Sequence, residues 1–155
     1  MAEEIKKEYN NLSKKFKLPK FDKIDNEFEI STLDSPKFLI RNTLRRVSEK
    51  LEFYIDVIGS LIHPDGSSIP NMNEIKYFSE DDKNKMSITF KKLMKINRTI
   101  MALLLVNDDK ESAEFLAGFF TEWTEIKNNL VSYVTKMKES WEKDTTIDEE
   151  LGYFG

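Results

Sequence analysis

The sequence predicts an all-α fold: an antiparallel up-down bundle of three long helices with a shorter helix at the N-terminus. Two observations carry the expectation. Apolar residues recur at alternating spacings of four and three over three long stretches, which is the mark of a helix with one buried stripe. Only five Gly and four Pro occur in 155 residues, too few to punctuate the turns of an all-β chain. The length fits one domain, read as residues 1–143 followed by an acidic tail at 144–155.

The first helix is predicted from Ala2 to Lys17, with Ile5, Tyr9, Leu12 and Phe16 on one stripe and Pro19 ending it. Its stripe is narrow and its tether long, so a homodimer through this helix is the alternative to packing in cis. Residues 19–34 carry five carboxylates against two lysines, yet Phe21, Ile24, Phe28, Ile30 and Leu33 make them too apolar for a free linker. They read as a strap across the bundle, with one helical turn near Asp22 to Asn26 or a short edge strand around Phe28 to Ile30. The second helix starts at Asp34 to Pro36, where a capping residue precedes a proline, and runs to Ile62. Ile40, Leu44, Val47, Leu51, Tyr54, Ile58 and Leu61 form its seam.

Residues 63–78 read as a long loop that plugs the end of the bundle. Ser79-Glu80-Asp81-Asp82 resembles a capping box and opens a third helix, whose seam is Met86, Phe90, Leu93, Asn97, Ile100 and Leu104. Its apolar end, Ile100 to Val106, predicts the most buried helix of the set. Asn107 to Asp109 make a short turn, so a fourth helix from Lys110 to Lys143 folds back. Its expected track is Leu116, Phe120, Trp123, Leu130, Val134, Met137 and Trp141, with the last turns overhanging.

Composition excludes several chemistries. With no Cys and a single His, thiol catalysis, disulfides, iron–sulfur clusters and multi-His metal sites are ruled out. His63 reads as a cation at a helix C-terminus. No GxSxG, P-loop or GxGxxG occurs, and no Glu-x-x-His pair of a di-iron bundle. No catalytic residue, cofactor or metal is therefore expected. The N-terminus has no apolar run of a signal peptide, and the longest apolar run is far short of the ~20 residues that span a bilayer, so a cytoplasmic location is expected.

The remaining signals concern partners. Asp148-Glu149-Glu150-Leu151-Gly152-Tyr153-Phe154 sets acids before apolar side chains, which suits docking on another protein. Glu149, Glu150, Leu151, Tyr153 and Phe154 are the candidate partner-binding residues, in a tail expected to be mobile. Arg41, Arg45, Arg46, Lys91, Lys92, Lys95 and Arg98 form a candidate basic face on the second and third helices. Twenty Lys against four Arg argue against bidentate phosphate or base recognition, no aromatic residues interleave the basic ones, and Glu111, Glu114, Glu122 and Glu125 are expected to neutralise them. The reading is a non-enzymatic intracellular adaptor or small regulatory subunit, with a nucleic-acid-associated helical protein as the alternative. Asn97, inside an apolar seam, is expected to select register.

Overall fold

A computed structural model describes residues 1–143, apart from residues 65 and 67. Among the described residues there are six α-helices, a single 3-10 turn and no strand. The helices are α1 (Ala2–Lys15), α2 (Phe21–Phe28), α3 (Leu39–Ile62), α4 (Ile69–Ile75), α5 (Glu80–Val106) and α6 (Asp109–Lys143), with the 3-10 turn at Ile30–Thr32. The tail at 144–155 lies outside the described residues. None of the described helices is long and apolar enough to cross a membrane.

The chain forms two compact units. One comprises Met1–Phe53 with Leu93–Thr124, the other Tyr54–Lys92 with the described part of Glu125–Gly155. Helices α3, α5 and α6 each contribute a segment to both.

In the first unit, α1 buries Ile5 and Tyr9 within its own chain, so these two residues of the stripe are not left for a second copy. The Tyr9 hydroxyl donates to the Pro19 carbonyl at 2.6 Å, and burial pushes it well above the usual phenol range. The expected strap is more helical than its sequence suggests. Phe21, Ile24 and Phe28 recur at three and four residues and give α2 two turns instead of one, and no edge strand forms at Phe28 to Ile30. Glu29 ends α2 in the left-handed conformation, with φ of 53°. Phe28 then packs against Phe119 and Trp123 of α6, at ring separations of 5.9 and 5.2 Å. The Trp123 indole N–H donates to Glu27 at 2.7 Å, and Lys50 lies over both rings. One aromatic cluster thus fixes the strap.

Asn97 is buried in this unit and accepts a 2.6 Å bond from the Ser48 hydroxyl. A satisfied side-chain pair between α3 and α5 holds it.

In the second unit, Ile58, Leu61, Phe78, Met86, Ile126, Leu130 and Tyr133 are buried, and the Thr89 and Tyr133 hydroxyls bond at 3.0 Å. The capping box forms: the Ser79 N–H donates to Asp82 and the Asp82 N–H to Ser79, both at 3.1 Å. The Lys136 ammonium donates to the same Asp82 carboxylate. These bonds, Lys136 first, hold Asp82 down at about 2. Residues 63–78 are not all loop, because Ser68 caps the short helix α4 by accepting the Asn71 N–H at 3.4 Å, with Pro70 in its first turn.

Two sequence expectations are corrected. The buried track of α6 is Leu116, Phe119, Trp123, Ile126, Leu130, Tyr133 and Ser140, whereas Val134 is exposed and Phe120 only half-buried. A track through Phe120 would have to pass the charged Lys127, and one through Phe119 passes Ile126. The end of α5 is not the most buried segment: Met101, Leu105 and Val106 are exposed, Leu105 by 84%.

Candidate interaction surface

Helix α3 begins later than its sequence predicts. The Ser35 hydroxyl accepts the Lys37 N–H at 3.1 Å, closing a turn that delays the helix to Leu39. Phe38, in front of the helix, has a φ of 52°. The left-handed region costs an L-residue with a bulky side chain ~1–2 kcal/mol, since its Cβ crowds the following carbonyl. On this backbone the Phe38 residue is 64% exposed. An aromatic side chain that stays mostly exposed on strained backbone is the most conspicuous local anomaly of the first unit.

The ring is held from one side. The Arg41 guanidinium stacks on Phe38 at 4.9 Å from the ring centre. Its Nε lies 3.8 Å from the Asp109 carboxylate, too long for a hydrogen bond, and this Nε is buried with no acceptor among the described residues. Glu8, Leu12, Phe38, Ile40, Arg41 and Asp109 are among the residues lining a groove of about 410 Å³ at this point. Its charged residues, Glu8, Lys37, Arg41 and Asp109, cancel in sign. Leu105 and Val106, both exposed, precede Asp109 by four and three residues, and Asn107 makes the turn between them in the left-handed conformation that suits its side chain. The groove therefore offers apolar walls and a projecting ring, with no net charge.

The basic residues singled out from the sequence are divided between the two units. Arg41, Arg45, Arg46, Lys95 and Arg98 fall in the first unit, Lys91 and Lys92 in the second. Arg45 donates to Asn42 at 2.6 Å and Arg98 to the Met101 sulfur at 3.5 Å, both on their own helices. Arg46 reaches the Thr32 carbonyl at 3.5 Å. Among the described residues no ion pair joins these cations to Glu111, Glu114, Glu122 or Glu125, and Arg41 faces Asp109 instead. Phe38 itself was not a sequence candidate. An apolar residue next to a predicted helix start reads as core, and only the backbone conformation shows otherwise. Glu149, Glu150, Leu151, Tyr153 and Phe154 lie outside the described residues. No group of three or more His, Cys, Asp or Glu able to hold a metal occurs among the described residues.

No protein-family model, no curated protein and no solved structure matches the chain.

Proposed function

We propose that the chain is a non-enzymatic protein-interaction module, and that the Phe38–Arg41 groove is where it receives its partner. The observation that carries this reading is Phe38: a mostly exposed aromatic ring on left-handed backbone, with the Arg41 guanidinium stacked on it. Aromatic and Arg side chains are the residues that anchor interfaces most often; a rigid aromatic ring supplies much contact area for little conformational entropy, and the planar Arg guanidinium supplies stacking and several hydrogen-bond donors. The lining has no net charge, so the complementary partner is an uncharged segment. It carries an apolar side chain that enters the groove and packs beside the Phe38 ring.

Two further elements belong to the proposal. The helices are arranged as an up-down bundle within a single domain of residues 1–143. In the first unit, Arg41 meets Asp109 while Ser48 meets Asn97, so α3 rises as α5 descends, which supports that arrangement. The acid–aromatic segment Glu149, Glu150, Leu151, Tyr153 and Phe154 is a second partner-facing element, supported by its composition.

The test is photocross-linking in extract of the native cell with Phe38→p-benzoylphenylalanine, and with the same substitution at Val131, an exposed apolar residue of the other unit. The expected result is one discrete adduct from position 38, competed by excess unlabelled chain, with the cross-linked partner peptide uncharged and apolar. The same adducts from both positions, or adducts that competition leaves intact, overturn the proposal.

A further inference from the structure

Helix α4 is inside out. Its polar residues Asn73 and Glu74 are buried, whereas Met72 is exposed and Ile69 and Ile75 are only half-buried. A short amphipathic helix ordinarily does the reverse. Glu74 has a partner, since the Trp141 indole N–H donates to its carboxylate at 3.2 Å. Burial nevertheless pushes the Glu74 carboxyl above the usual carboxylate range, against the opposing effect of that bond. Asn73 has none. Its side chain is 1% exposed, and neither the carbonyl oxygen nor the amide nitrogen has a hydrogen-bond partner among the described residues. A buried amide left unbonded is among the costlier defects a fold carries, and such groups are rare in native proteins.

We infer that the inward face of α4, next to the Glu74–Trp141 bond, is a binding site for a primary carboxamide, received by the side chain of Asn73. The chemistry follows from the unmet groups. Asn73 offers one acceptor oxygen and one NH₂ donor side by side. Their complement is a group with a donor and an acceptor on the same edge. A primary carboxamide has that edge and closes two reciprocal N–H···O bonds. A trans peptide group does not, because its N–H and C=O point to opposite sides. A carboxylate is disfavoured by the neighbouring Glu74 and has no proton to donate. Entry requires a local opening. A seven-residue helix is too short to be stable alone, so that opening costs less than global unfolding. Two sources share this chemistry: a small carboxamide metabolite, and an Asn or Gln side chain of a protein partner.

The experiment is a titration of the full chain followed by NMR, reading the Asn73 side-chain NH₂ and the Trp141 indole N–H. The probes are propionamide, the trans secondary amide N-methylacetamide, propionate, and a blocked glutamine residue. Propionamide should shift both signals saturably, and N-methylacetamide and propionate should not. A blocked glutamine that binds more tightly than propionamide assigns the protein source, and one that binds more weakly the small-molecule source. Asn73→Leu should abolish the response to propionamide and raise the melting temperature of the free protein, because it removes an unmet amide. Equal shifts with N-methylacetamide, no shift with any probe, or a lowered melting temperature in Asn73→Leu overturns the inference. The last outcome would show an amide satisfied by internal water.

Discussion

Asn97 shows what a single residue can and cannot announce. Its place in the α5 seam was readable from spacing, but its partner was not, because Ser48 lies off the α3 seam and joins it only through packing. The bond changes the expectation from the bare sequence, in which replacing a seam Asn by Leu would stabilise. Asn97→Leu strands the Ser48 hydroxyl, so it should lower stability by ~1–3 kcal/mol, the cost of leaving one partner unsatisfied. Ser48→Ala combined with Asn97→Leu should recover part of that loss. Urea denaturation of the two single variants and the double variant measures the coupling. Two carboxyls set opposite pH dependences. Asp82, held at about 2 against an ordinary 3.8, contributes stability that is complete above 3.8 and lost as pH falls toward 2. Glu74, raised above its ordinary 4.5, contributes most below that value, and its contribution is lost as pH rises through the folded-state value. Thermal melts should therefore show Glu74→Gln, which keeps an acceptor for Trp141, stabilised relative to the parent at neutral pH and indistinguishable from it near pH 4. A variant less stable than the parent at neutral pH contradicts this assignment.

At the scale of the element, long regular patterns were legible and short or doubled ones were not. The three long helices and the Ser79 capping box follow directly from spacing and capping chemistry. Helix α4 escaped because its buried residues are polar, so hydrophobic periodicity had nothing to detect. The one signal was Ser68 ahead of Pro70, a cap and an early-turn proline. In α6, neighbouring apolar pairs such as Phe119 with Phe120 and Tyr133 with Val134 support two tracks, and only Ile126 beside Lys127 distinguishes them. The exposed end of α5 illustrates a different limit: an apolar run reports composition, and burial depends on what packs over it. Gly118 does not break α6, which continues through it to Lys143, and a Cβ there meets nothing within 4 Å. Gly118→Ala should raise stability by ~1 kcal/mol through helix propensity alone, as read by urea denaturation. Trp123→Ala should cost ~3–5 kcal/mol, because it removes the ring that Phe28 packs on and leaves Glu27 without its indole donor.

Across the whole molecule, each compact unit holds one tryptophan, Trp123 in the first and Trp141 in the second. Since α3, α5 and α6 pass unbroken through both, melting one unit strands half of three helices. Urea unfolding followed by fluorescence should thus give coincident transitions in the two single-tryptophan variants, Trp123→Phe and Trp141→Phe. Two separated midpoints would mean that the units fold independently. The all-helical class was legible from the sequence. The groove beside Phe38 was not, because it depends on a backbone conformation at Phe38 that no residue pattern encodes.

The central claim is that Phe38 is kept strained and exposed for a partner and not for the fold. The most direct measurement is the unfolding free energy of Phe38→Gly, since glycine adopts a φ near 52° without strain. If Phe38 serves a partner, the variant should be as stable as the parent or up to ~1 kcal/mol more so, with the position-38 adduct partner no longer bound. A loss of more than ~2 kcal/mol would place Phe38 among the residues that hold the fold together, and would contradict the account.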